Sequence, residues 1–220
     1  VPPVGLSRPI SCDVRVSACP YEPSAIVSEV YAPVRFHFKC PVRSSRSRAS
    51  LSERRLDAMS LIFAPRSGAH FSRCRSWRYA LWREWDAARP RVMLIGLNPS
   101  TADATRNDPT IRRCIGFARD WGFGGLWVLN LFAFRATYPD DLKAADDPVG
   151  PGNDRWLRRV AKECPRIVAC WGNDGAFLGR SAKVRRMLGD RLEVLRMNAS
   201  GEPAHPLYLP KTLRPAPWPA

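Results

Sequence analysis

The run Arg91-Val92-Met93-Leu94-Ile95-Gly96 constrains the fold more than any other segment. It is a short, continuous apolar stretch ending in glycine, as expected of a strand buried on both faces in a parallel sheet. The segments that follow keep to the same scheme. Asp108-Pro109-Thr110 reads as a helix start, with a capping acid and a proline in the first turn. Ile111, Cys114, Ile115 and Ala118 then recur at helical spacing, and Gly122 ends the helix. Gly125 to Phe132 is a second apolar run. Trp156, Leu157, Val160 and Ala161 mark a second amphipathic helix, closed by Pro165. Arg166 to Trp171 is a third strand, Val184, Met187 and Leu188 lie on a third helix, and Leu192 to Leu195 is a fourth strand. Strand and helix alternate without an internal repeat. The expected fold is α/β: three layers, with a mainly parallel central sheet flanked by helices.

The chain changes character near residue 58. All eight tryptophans lie beyond it, whereas residues 1–58 are rich in Pro, Ser and Arg. Arg43 to Ser50 is low-complexity, with no apolar period to bury. Ala32 to Phe38 alternates like a strand, although Pro33 weakens that reading. Met59 is the first methionine. The expected organisation is a disordered leader or over-extended gene start over 1–58, a single α/β domain over 59–210, and a Pro-rich tail over 211–220.

A net charge of +15 and a pI near 10.3 favour polyanionic partners through counterion release from phosphate. A GC-rich genome that writes Arg wherever a surface position is free would give the same surplus. The seven cysteines include no C-x-x-C pair, and the histidines are only His37, His70 and His205, so no metal pattern can be assembled. Reduced thiols in a cytoplasmic protein, and no cofactor, are the expectation. There is no run of about 18 apolar residues, no apolar leader, no Walker motif and no G-x-G-x-x-G. A membrane is therefore not among the expected partners.

In open α/β sheets ligands bind beyond the carboxyl ends of the strands. The first strand is followed by Gly96-Leu97-Asn98-Pro99-Ser100 and then Asp103; the second ends at Asn130, with Arg135 after it. The third is followed by Trp171-Gly172-Asn173. The fourth leads into Ser200 to Leu209, which contains His205. Amide, carboxylate and imidazole chemistry thus collects at four strand ends. Each residue also has a plainer role open to it. Asn98-Pro99 is ordinary turn chemistry, Asn130 suits a strand end, Asp108 a helix cap, Trp171 a core, and His205 a surface loop.

The order of these motifs resembles that of the α/β uracil-DNA glycosylases. Those enzymes carry a Gly-x-Asn-Pro or acidic equivalent after the first strand, then a Leu-Asn strand end, a Trp-Gly strand end and a His-Pro loop. The counterparts are Gly96-Leu97-Asn98-Pro99, Val128-Leu129-Asn130, Cys170-Trp171-Gly172 and His205-Pro206 through Leu209. A longer likeness joins Arg78 to Arg83, Gly96 to Asp103, Asn107 to Thr110, Asn130 to Thr137 and His205 to Tyr208. Over about Phe71 to Leu209 these segments resemble a bacterial and phage family, the domain of unknown function numbered 1643. That second likeness implies no established activity.

The glycosylase resemblance implies a uracil-DNA-glycosylase-like fold and a set of roles. His205 would donate to a base carbonyl as charge develops. Asn130 would read the base edge, Asn98 would position water, and Asp103 or Asp108 would supply a carboxylate, all as catalytic or binding groups. Gly96, Pro99, Ser100 and Trp171 would shape the base pocket. Arg112, Arg113 and Arg135 would meet phosphates, and Leu209 would wedge into the space of a flipped base. Ser100 departs from the tyrosine of the efficient uracil enzymes, so uracil itself is not implied. The expected function is nucleobase recognition, with glycosylase-like N-glycosidic hydrolysis. Two alternatives stand beside it: a non-catalytic nucleic-acid or nucleotide binding module, and a small-molecule nucleotide-processing enzyme.

Overall fold

A computed structural model describes residues 66–219. The leader over 1–58, the start at Met59 and the Ala32–Phe38 strand lie outside the described residues. The elements are β1 (Arg66–Phe71), β2 (Arg78–Glu84), β3 (Arg91–Gly96), α1 (Pro109–Asp120), β4 (Gly125–Asn130) and α2 (Pro139–Lys143). They continue with α3 (Asn153–Glu163), β5 (Ile167–Ala169), α4 (Arg180–Leu188), β6 (Leu192–Val194) and β7 (Ala216–Pro217).

The seven strands form one sheet in the order β1-β2-β4-β3-β5-β6-β7. Within each central strand successive side chains face opposite layers. Met93, Ile95, Leu129, Ile167 and Ala169 face a core closed by α2, α3 and α4 through Leu142, Leu157, Val160 and Val184. Val92, Leu94, Leu126, Val128 and Val168 face a second core closed by α1 through Ile111, Cys114, Phe117 and Ala118. Both faces are dry, which is why these strands read as unbroken apolar runs. Each fully buried Leu or Ile here contributes about 1.5–3 kcal/mol relative to exposure.

The helices begin and end for local reasons. Asp108 accepts at Oδ1 from the Ile111 backbone N–H at 2.7 Å, with Pro109 at the first helical position of α1. α4 ends at Gly189, whose φ of 60° suits a residue without a side chain.

The expectation of a mainly parallel sheet is corrected: the sheet is mixed. β3 pairs parallel with β4 and β5, and β5 with β6. β1 with β2, β2 with β4, and β6 with β7 pair antiparallel. The four strands expected from the sequence are the parallel centre; those outside the expectation form its margins. β2 escapes a hydrophobic pattern because two of its buried positions, Arg78 and Arg83, are arginines. Within the Pro-rich segment 211–220, Ala216–Pro217 pairs with β6, and the Trp218 ring packs 5.7 Å from that of Trp171.

Candidate functional site

The parallel centre of the sheet changes direction at β3. The next strand in the chain, β4, lies on one side of it and β5 on the other. The loops leaving their carboxyl ends therefore part around a crevice, the usual place for a ligand in such sheets. The crevice holds a cavity of about 460 Å3, within the range of small-molecule sites.

The β3 loop is zipped to the segment after β4. Leu131 donates its backbone N–H to Gly96, Phe132 to Leu97 and Ala136 to Pro99, at 2.9, 2.9 and 3.0 Å. Asn98 finishes the seam, giving its side-chain amide protons to the carbonyls of Ala136 at 2.7 Å and Pro99 at 3.1 Å. The turn chemistry of Asn98-Pro99 is thus real, and it leaves the amide oxygen as the remaining polar group of Asn98.

Asn130 ends β4 and is 4% exposed. Its Nδ2 has no hydrogen-bond partner, yet the residue lines the cavity. No protein group meets Nδ2 of Asn130, so this donor is available to an acceptor on a molecule bound in the cavity.

A second wall carries His205. Its loop is moored to the chain after β5: Gly172 donates to Pro203 at 2.9 Å, and Trp171 donates its indole N–H to Glu202 Oε2 at 2.6 Å. The other oxygen of Glu202 accepts from the Ser181 hydroxyl at 2.7 Å. Gly172 at φ 80° makes the bend between Trp171 and the turn that begins at Asn173. The Leu207 backbone N–H donates to Nδ1 of His205 at 3.4 Å, which leaves the proton of a neutral imidazole on Nε2. Burial lowers the His205 pKa, with Asp108 acting in the opposite sense.

Arg78 is the principal residue that sequence reasoning missed. It is 2% exposed and lines the cavity, with Nη1 donating to the Ala102 carbonyl at 2.6 Å and Nε unpartnered. Burial brings its pKa down to about 10; Asp108 opposes the shift, whereas Arg135 and Arg83 add to it. It remains a cation near neutral pH. The only available signal was its place in Arg78-Tyr79-Ala80-Leu81-Trp82-Arg83, a segment with an arginine at each end of an apolar run.

Its neighbour Arg83, 6% exposed, serves the same loop from behind. It donates to Asn107 Oδ1 at 2.8 Å and to the carbonyls of Asp103 and Arg106 at 2.7 and 3.2 Å. β2 thus fastens residues 102–107 with two arginines.

The cavity brings together Gly96, Asn98, Ser100, Asp108, Asn130, Trp171 and His205 of the expected set. Trp171 is 1% exposed and tied to Glu202, so it forms a wall and offers little face for stacking. Six expected residues stand elsewhere, among them Arg113, which donates to the Leu209 carbonyl. Pro99 is buried, its carbonyl accepting from the Ala136 backbone and the Asn98 amide. Asp103 is occupied in a turn, accepting from the backbone N–H groups of Thr105 and Arg106, and these bonds hold its carboxyl below the usual range. Arg112 is exposed and donates to the Asn107 carbonyl at 2.8 Å. Leu209 is 2% exposed and packed beneath α1, its carbonyl accepting from Arg113, so it does not stand on the surface as a wedge would. Arg135 lines a neighbouring hollow.

Cys114 and Cys170 also meet the cavity. The hydrogen bond between the two thiols and their burial push Cys114 well above the usual thiol range, so it is no thiolate nucleophile at neutral pH. Among the described residues no group of three or more His, Cys, Asp or Glu could hold a metal ion, and no helix is long and apolar enough to cross a membrane.

No curated protein and no solved structure matches the chain significantly. A family model, described as a protein of unknown function (DUF1643), matches residues 78–207. The match opens on Arg78 and closes just past His205, so it takes in every wall of the cavity. The chain belongs to the DUF1643 family.

Proposed function

We propose that the cavity recognises a nucleobase, and that the protein cleaves the N-glycosidic bond of the nucleotide or nucleic acid carrying it. The observation behind this reading is Asn130, a buried amide whose Nδ2 has no protein partner and which lines a cavity with ample room for a base. An amide pairs a donor with an acceptor, as the edge of a base does. Arg78 Nε and the Nε2 proton of His205 add donors to the same walls, which suits a ligand rich in carbonyl oxygens.

These groups also suit the reaction. As the bond from C1′ to the base nitrogen breaks, its electron pair leaves with the base. The Arg78 cation and the His205 donor stabilise that developing anion. Water supplies the oxygen that bonds C1′, and Asp108, whose Oδ1 caps α1, is the carboxylate to receive the water proton. The departing base is then protonated from solvent.

A second reading, binding without cleavage, draws on Asn98 and Asp103. The amide cannot remove a proton, and the Asp103 carboxylate is occupied in its turn. One experiment separates the two readings. Oligonucleotides with normal, deaminated and mismatched bases, and the matching nucleosides, are incubated with the full chain. Binding is followed by calorimetry and base release by chromatography. Released base, lost in Asp108→Asn, supports hydrolysis; binding without release supports the second reading. No binding of any base defeats both.

A further inference from the structure

Beside the base cavity lies a second hollow of about 380 Å3. The two are continuous in their walls, since Ser100, Ala136 and Thr137 line both. The second hollow is cationic. Arg75 enters it from the turn joining β1 to β2, and Arg135 from the segment after β4.

These two arginines are held together against their own repulsion. Both guanidinium groups lie over the Phe71 ring, 4.5 and 5.2 Å from its centre. Arg135 Nη1 donates to the Arg75 carbonyl at 3.4 Å. Arg75 has a φ of 61°, unusual for a residue with a side chain. Nε of Arg135 is buried and unpartnered, as is Nε of Arg78 across the shared wall. Among the described residues none of the three forms an ion pair with a carboxylate. Asp108 and Asp103 act on Arg78 through space, but Arg75 and Arg135, the two guanidinium groups of the second hollow, have no ion-paired carboxylate among the described residues. With the hydroxyls of Ser100, Thr101 and Thr137 beside them they suit a group with several charged oxygens.

We infer that the two hollows form one site for a nucleoside phosphate, with the base against Asn130 and the phosphate between Arg75 and Arg135. The sugar crosses the shared wall of Ser100, Ala136 and Thr137. This inference rests on the base-binding reading above and adds to it the charged half of the ligand. The phosphate has two sources, a free nucleotide or a nucleic-acid strand, and both present the same chemistry to the arginines.

The test is titration calorimetry on the full chain. The probes are uridine, cytidine, adenosine and guanosine, their 5′-monophosphates, orthophosphate alone, and short single-stranded oligonucleotides. At least one monophosphate is expected to bind about tenfold or more tightly than its nucleoside. Arg135→Ala and Arg75→Ala should each remove that advantage and leave nucleoside affinity unchanged. Added salt should weaken the monophosphate and spare the nucleoside. Arg78→Met is the harsher variant, and the two more exposed ones keep the test decisive if it fails to fold. A strand binding more tightly than the mononucleotide supports the inference with nucleic acid as source; the reverse order supports it with free nucleotide. Equal affinity for nucleoside and monophosphate overturns the phosphate inference while the base reading stands. Orthophosphate binding as well as every nucleotide, with no nucleoside bound, overturns both.

Discussion

A Cβ placed on Gly96 would lie 2.9 Å from Oδ1 of Asn130. The glycine at the end of β3 is thus what allows the amide at the end of β4 its position in the cavity wall. Gly96→Ala is expected to displace that amide, lowering stability by roughly 1–3 kcal/mol and weakening ligand binding. In Gly96→Ala with Asn130→Ala the close contact is gone, so the two effects should not add. Denaturant unfolding of the four proteins measures the coupling, and strict additivity would show the contact to be immaterial.

Asn130 itself should matter more to binding than to folding. Nδ2 of Asn130 bonds no protein group, so truncation breaks no protein hydrogen bond at that atom. Asn130→Ala is expected to stay within about 1 kcal/mol of the parent in stability while losing about tenfold or more in base affinity. A large loss of stability with affinity intact would make Asn130 a structural residue.

Asp108 can be divided between its two roles. Asparagine caps a helix as well as aspartate does, whereas Asp108→Ala should cost about 1 kcal/mol. If Asp108 takes the proton from water, base release disappears in Asp108→Asn although α1 unfolds at an unchanged temperature. Full activity in Asp108→Asn would confine Asp108 to capping.

Arg83 predicts the behaviour of the loop that carries the site. Lysine cannot reproduce its fork of donors, so Arg83→Lys is expected to cost about 2 kcal/mol. Amide hydrogen exchange should speed up across residues 102–107 before it does in β3 or β4. Uniform acceleration through the whole domain would argue against a local fastening.

Acid should act in two separate windows. Burial lowers the pKa of both His205 and His70, with Arg159 adding to the effect at His70. The unfolded chain then binds more protons than the folded one once the pH falls below the ordinary histidine value of 6.5. This contribution to stability is complete above that value and declines below it as the pH falls towards the lowered values. Asp103 is held low by its turn bonds. At Asp154 burial pushes upward, but Arg180 and Lys183 outweigh it. Those contributions are complete above the ordinary value of 3.8 and are lost below it. Melting temperature against pH should therefore fall in two steps, the upper one shallower in His205→Gln.

What the sequence could and could not reveal follows from where its charges are buried. The strands expected at Arg91, Gly125, Arg166 and Leu192 all appear within a residue or two, because their side chains face dry layers on both sides. Asp108, Gly122 and Pro165 were legible as helix boundaries because caps and breakers act locally. β2 was not, since Arg78 and Arg83 occupy buried positions and invert the polarity a strand should show. The same inversion hid a wall of the site. Gly96, Asn98, Asn130 and His205 could be named because each directly follows or ends a strand or loop signal. Arg78 reaches the cavity from an antiparallel strand that no pattern announced.

Two arginines of β2 grip the loop over residues 102–107 mostly by its backbone, through the carbonyls of Ala102, Asp103 and Arg106. Such an attachment does not depend on which side chains the loop displays. The side chain of Ala104 takes no part in this anchor, so the outer face of the loop can change while its foundation stays as it is.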